Sequence, residues 1–405
     1  MENFRTLYRF ELRKLFQKRI VWLCLIFADA CILCGCLFEV YVGSVYIDGK
    51  RFESNYEATM KDFAYAKALD GRPIDQGLIE RTIAAYRSIP QDIQGHYIGT
   101  EEYQRNARPY SGIFNFLYKT ANMPRSELMY TWEPDEEDYY RMYRAYLEDR
   151  WDRHYLTEEE KTFWTARLER VDPPLVYREH TMYDKMVTMY QTVGIVTLLT
   201  VTVCLAGAFP DEHSRRTDQL NLCAKNGRRV LYWAKLLSGV VFGIGTAAVF
   251  ASVGLITLLL LYGPGHFSTP FQLICEFCAE PMSCGQGLLI ACGILILTAA
   301  LYAVLVMALS ELTHSSVATL SVGAVLILLG ELMVIPSQYR FLSQLWDWMP
   351  FSFLNVWNVF GDYTFGVSGA RFTAWQAAPV LYILAGGLTA LLSKQAYRRF
   401  QIQGR

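Results

Sequence analysis

Residues 209–235 read FPDEHSRRTDQLNLCAKNGRRVLYWAK, between VGIVTLLTVTVCLAGA (193–208) and LLSGVVFGIGTAAVFASVGLITLLLLYG (236–263). A compact island of mixed charge therefore separates two apolar runs. A helix rises 1.5 Å per residue, so a run of about 20 apolar residues is long enough to cross a bilayer. Reading outward from the island, six such runs are expected, at 20–46, 186–209, 236–262, 286–310, 315–335 and 375–393. The expected fold is an all-α membrane protein of six transmembrane helices, with 139 residues, 47–185, set between the first two. The first run is too long for a cleaved leader, carries Asp29 and Glu39, and lacks a small-x-small cleavage site.

Composition agrees with a membrane part and one polar domain. Of 405 residues, 52% are apolar and 19% charged. Residues 47–185 hold 20 of the 38 Lys and Arg and 26 of the 39 Asp and Glu, so the polar domain is acidic and the rest is basic. Outside that domain 16 of the 18 basic residues fall in three clusters. Arg5, Arg9, Arg13, Lys14, Lys18 and Arg19 precede the first run; Arg215, Arg216, Lys225, Arg228, Arg229 and Lys235 lie in the island; Lys394, Arg398, Arg399 and Arg405 end the chain. Six alternating spans put all three clusters on one side, which the positive-inside rule makes cytosolic. The expected organisation is a cytosolic amphipathic helix over 1–19, an extracellular helical domain over 47–185, and a cytosolic tail over 394–405. The implied location is the plasma membrane, crossed several times, with both termini cytosolic.

The polar domain carries helix signals. Ser54 with Glu57 and Thr157 with Glu160 have capping-box spacing, and Pro134 with the acids 135–138 suits a first helical turn. The acidic run lacks the alternating oxygen ligands and Gly of a calcium loop. Tyrosines at helical spacing read as core. No cysteine lies between 47 and 185, so that domain has no disulfide framework of its own.

Several motifs are set aside. Gly243–Ala248, GIGTAA, satisfies GxGxxA but sits inside an apolar run, where Gly239 and Gly243 read instead as a GxxxG contact between helices. Cys275, Cys278 and Cys284 form one CxxC plus a third thiol, open to a disulfide or a metal, with no histidine or fourth cysteine at finger-like spacing. Cys24, Cys31, Cys34 and Cys36 read as small apolar residues of a span. There is no HExxH, GxSxG or GxxxxGK[ST], so the chain is expected to be no enzyme, with no cofactor and no metal. Among intramembrane acids, Glu39, Glu311 and Glu331 are expected near hydrated span ends, and only Asp29 lies deep.

The island has Asp211 and Glu212 at its start and Arg228 and Arg229 at its end, charges matched to the dipole of a short helix that docks into a soluble partner. The order Phe209, Glu212, Thr217, Leu220, Leu222, Arg228 or Arg229, and Lys235 resembles ABC-2 type transporter permeases. Arg216 stands where that family commonly has Gly, and Lys225 or Asn226 where Pro is usual. The resemblance extends to the six spans, the long insert after the first, the aromatic stretch 336–374, and the amphipathic 1–19. There Phe4, Leu7, Tyr8, Leu12, Leu15 and Phe16 share a face suited to the inner membrane interface. It implies that 210–229 is the coupling loop, with Asp211, Glu212, Arg215, Arg216, Thr217, Leu220, Arg228 and Arg229 meeting a separate ABC ATP-binding subunit. It also implies a second permease subunit, identical or paralogous, a membrane lipid environment, a transported substrate of unknown kind moved out of the cell, and no nucleic acid. The alternative is an ion-coupled carrier or a membrane sensor with a ligand-binding ectodomain, which paired deep charges or inverted repeats would favour.

Overall fold

A computed structural model describes residues 2–47, 50–90, 97–171, 173–214, 230–367 and 369–399. Helix α1 (Glu2–Phe16) leads into α2 (Arg19–Tyr41). A hairpin of β1 (Ser44–Ile47) and β2 (Lys50–Ser54) then opens the polar region. That region is built on α3 (Asn55–Ala68), α4 (Gln76–Arg87), α5 (Ser111–Thr120), α6 (Arg125–Tyr130), α7 (Glu136–Arg153) and α8 (Glu158–Leu168). The chain returns through α9 (Thr181–Leu205) and α10 (Pro210–Ser214), then α11 (Val230–Tyr262), α12 (Cys284–Thr313) and α13 (Ser316–Leu332). Short α14 (Arg340–Asp347) and α15 (Val356–Val359) precede a second hairpin, β3 (Thr364–Val367) with β4 (Ala370–Thr373), and α16 (Ala374–Arg399) closes the fold.

Five of these helices, α2, α9, α11, α12 and α16, are long and apolar enough to cross a membrane, which makes the chain a multi-pass membrane protein. The expected fifth span, 315–335, contains α13, whose 17 residues reach about 26 Å, short of a hydrocarbon core of about 30 Å. Leu23, Ile26 and Phe27 of α2 and Ile383, Leu384 and Leu388 of α16 stand exposed, an apolar surface suited to lipid rather than water.

The chain is mostly helical, and two short hairpins interrupt it. The first span was expected to run to Tyr46, but α2 ends at Tyr41 and Ser44 pairs with Ser54 across the hairpin. Between the strands the sequence is Asp48-Gly49, a strong short-range hairpin signal. The second hairpin breaks the aromatic segment 336–374, pairing Thr364 with Thr373, and its turn uses Gly369 at φ +85°.

Helix α12 is the hub of the apolar part, packing on α9, α11 and α16. Gly243 explains how α11 comes close. A Cβ there would stand 2.9 Å from the Ala299 carbonyl oxygen and 3.1 Å from the Ala303 Cβ, so only glycine lets the two backbones meet. In the polar region the capping boxes Ser54/Glu57 and Thr157/Glu160 both form, and Asp135 caps α7. Tyr139, Tyr143, Trp151 and Trp164 are buried core residues.

The polar region is clamped onto one end of the bundle. Asp362 accepts from Arg150 Nε at 2.8 Å, and its carbonyl accepts from Trp164 Nε1 at 2.7 Å. Arg340 Nη2 meets Glu160 Oε1 at 2.5 Å, and Arg167 pairs with Glu280 in the loop between α11 and α12. Burial presses Glu160 toward neutrality, but the Thr157 amide, Arg340 and Thr364 outweigh it and hold the carboxyl below its ordinary range.

Candidate functional site at the termini end of the bundle

At the opposite end from the polar region, α1, the corner after α9, the start of α11 and the ends of α12 and α16 converge. The corner is held by Ser310, whose Oγ donates to the Ala206 carbonyl at 2.8 Å and accepts from the Phe209 amide at 3.4 Å. Pro210 then starts α10, where its missing N–H is harmless, and Asp211 and Glu212 fall in the first turn, favoured by the helix dipole.

Glu212 is the centre of the site. Its Oε2 lies 2.5 Å from Lys235 Nζ, and its Oε1 pairs with Lys14 Nζ. Lys235 also donates to the Ala208 carbonyl at 3.4 Å and stands 4.9 Å above the Phe209 ring. Asp211 Oδ2 takes Lys18 Nζ at 2.7 Å. Lys14 lies 3.8 Å from Glu11 within α1, and together with Lys18, which caps the start of α2, it knits the N-terminal segment to the corner. Phe209, Tyr232 and Tyr397 pack below, and the Tyr232 hydroxyl donates to the Ala390 carbonyl at 2.8 Å.

Lys235 is 2% exposed, Glu212 8% and Glu311 4%. A buried charge without a partner is costly, which is why the ammonium and the carboxylate sit together. Glu11 is buried as well; burial raises its carboxyl above the ordinary range, against the pull of Lys235 and Lys14. A small cavity lined by Glu11, Lys14, Lys18, Asp211, Lys235 and Ser238 lies within the network. Chemically the arrangement is a charged joint that links one short segment to the N-terminal helix and to the long α11 and α12.

Of the residues expected to meet a soluble subunit, the structure brings together Asp211 and Glu212. Arg215, Arg216, Thr217, Leu220, Arg228 and Arg229 lie outside the described residues. Asp211 and Glu212 are each paired with lysines of the same chain, Asp211 with Lys18 and Glu212 with Lys14 and Lys235. Glu311 is likewise buried rather than hydrated, since α12 runs past it to Thr313 and packs beneath the joint. Glu331 accepts from Gln191, and the side chain of Glu39 lies outside the described residues. Asp29 Oδ1 is buried with no hydrogen-bond partner among the described residues. In α1, Glu11 and Leu15 are buried against the bundle, while Phe16 stands exposed.

Sequence reasoning passed over Lys14, Lys18 and Glu11 as site residues. The available signal was Lys235, a cation six residues into a helix that is otherwise apolar, which demands a carboxylate nearby. Among the described residues, no three His, Cys, Asp or Glu side chains converge to hold a metal ion. Compared with known proteins, the chain matches no family model and no curated protein.

Proposed function

We propose that this chain is the membrane-spanning permease subunit of an ABC-2 type transporter, an exporter driven by a separate ATP-binding subunit. In this reading α13 completes six spans, both termini are cytosolic, the polar region 47–185 lies outside, and the chain pairs with a second permease subunit. The observation that carries it is the bridge from the buried Glu212 to both Lys14 and the buried Lys235. Residues 215–229 leave from α10 and return into α11, so a displacement of that loop by a soluble subunit would pass at once to α1 and α11 through one shared carboxylate. The contact with the ATPase then falls to 215–229, and Asp211 and Glu212 act behind it as transmitters.

The test is a cysteine at Asn226 in the full chain, treated with a short bifunctional maleimide in native membranes. The expected product is a cross-link to a chain carrying a nucleotide-binding P-loop, with ATPase activity in the purified complex. A chain that purifies without ATPase activity and forms no such cross-link overturns the reading. Cysteines at the exposed Lys119 and Arg144 should react with an impermeant thiol reagent on intact cells while one at Asn226 should not; the reverse pattern inverts the topology.

One observation favours a second reading, an ion-coupled carrier: the Asp29 carboxylate inside α2 has an oxygen without a partner among the described residues. Asp29→Asn separates the two, abolishing transport in a carrier and sparing it in an ATP-driven permease.

A further inference from the structure

The loop between α11 and α12 contains Cys275-Glu276-Phe277-Cys278, and the polar region grips the two residues between the thiols. The Tyr143 hydroxyl donates to the Glu276 carbonyl at 2.9 Å, and Lys119 Nζ lies 3.4 Å from the Glu276 carboxylate. The Arg150 guanidinium stacks 3.9 Å from the Phe277 ring centre, and Phe277 meets Trp357 edge to face at 5.4 Å. Glu276 and Phe277 thus form a knuckle held from α5, α7 and the aromatic segment.

The flanking cysteines are set for each other. The Cys278 amide donates to the Cys275 carbonyl at 2.9 Å, an i to i+3 turn. Such a turn holds its end Cα atoms within about 7 Å, and a disulfide spans about 4.4–6.8 Å between Cα atoms. The two thiols are neighbours, close enough for Cys278 to hydrogen-bond the Cys275 thiol. Cys284, the third thiol of the loop, directs its Sγ to the Pro270 carbonyl at 3.5 Å instead.

We propose that Cys275 and Cys278 mature into a disulfide, closing a four-residue ring that keeps the Glu276–Phe277 knuckle in the shape the polar region grips. The inference rests on the reading that this loop lies outside, where oxidation persists. The step is thiol–disulfide exchange. The thiolate of one cysteine attacks the disulfide of an exported oxidoreductase, and the second displaces it from the mixed disulfide. The Sγ–Sγ bond forms, and the two electrons and two protons leave on the oxidoreductase as its dithiol. Cys275 and Cys278 are both buried once the polar region has docked, so exchange belongs to the stage before docking, after which reductants are shut out. Burial pushes the Cys275 thiol well above its ordinary range, so a Cys275 left reduced at that stage lacks the thiolate needed to attack later.

The test uses the full chain in its own membrane. Cells are quenched in acid, and the protein is unfolded without reductant in excess N-ethylmaleimide, digested and weighed. The peptide holding both residues is expected to be lighter by two hydrogens and free of maleimide, while Cys284 carries it. Maleimide on both Cys275 and Cys278 overturns the proposal. In that case, labelling of a Lys119→Cys variant on intact cells shows whether the outside location has fallen too or only the disulfide. A Cys278→Ala variant should make Cys275 alkylable in denaturant and speed tryptic cleavage of the polar region several-fold; an unchanged cleavage rate would show that the ring does not hold the knuckle.

Discussion

Lys235 Nζ lies 2.5 Å from Glu212 Oε2, joining the first turns of α11 to the corner that follows α9, and both side chains are almost wholly buried. Taking one partner from such a pair leaves the other charge stranded in low dielectric, at about 3–5 kcal/mol. Lys235→Met is therefore expected to lower the thermal stability of the purified protein strongly. Lys235→Met with Glu212→Gln should recover much of the loss, and the coupling in that double-mutant cycle is the measurement. Glu212→Arg should be worse than either single change, because it sets a third cation against Lys14 and Lys235.

The helix contact at Gly243 makes a sharp comparison with its neighbour. A Cβ at Gly243 meets the Ala299 backbone at 2.9 Å, whereas one at Gly245 meets nothing within 4 Å. Gly243→Val is expected to destabilise the protein by about 1–3 kcal/mol or more through overpacking, and Gly245→Ala to be neutral or slightly stabilising. Melting curves of the two variants in one detergent decide it; equal effects would mean that α11 and α12 are not in backbone contact.

Asp347 gives the domain end of the molecule a pH dependence. Burial raises its carboxyl from the ordinary 3.8 to about 6, with the nearby His154 pulling the other way. The folded chain therefore binds this proton more tightly than the unfolded one. Its contribution is fully present at low pH and is lost as pH rises through about 6. With allowance for partial exposure, the span is about 1–2 kcal/mol. Asp347→Asn should flatten the melting temperature across that window and stabilise the protein at neutral pH.

Glu160 acts in the opposite sense. Its carboxyl is held below the ordinary range, so its contribution is present at neutral pH and is lost as pH falls through the depressed value. Arg340→Leu removes its charged partner and is expected to cost about 2 kcal/mol at neutral pH, and less in acid. Limited proteolysis of α7 and α8 as a function of pH reads this out. Equal protease resistance of variant and parent at neutral pH would show that the clamp on Glu160 is not needed to dock the polar region.

Much of the architecture was legible along the chain, because the signals are local. Apolar runs of spanning length, the capping boxes at Ser54 and Thr157, the acids ahead of α7 and the glycines of α11 each depend on residues within a few positions of one another. The β1–β2 hairpin is legible too, in Asp48-Gly49 between alternating residues, although the longer apolar run beside it is the stronger local signal.

What the amino-acid order determined by itself was a charged island between apolar helices, with acids at its first turn, since periodicity and helix dipoles are properties of one segment. Only the tertiary structure decided where those acids point. Glu212 meets Lys14 across 198 positions of sequence and Lys235 across a loop, and the choice between solvent and a buried lysine turns on which helices pack at that corner. Gly243 admits α12 to α11, Ser310 pins the corner to α12, and α1 folds underneath. Once water is excluded there, a lone carboxylate is intolerable and the lysines become its partners. Burial is a property of the assembled helices, and no single segment carries it.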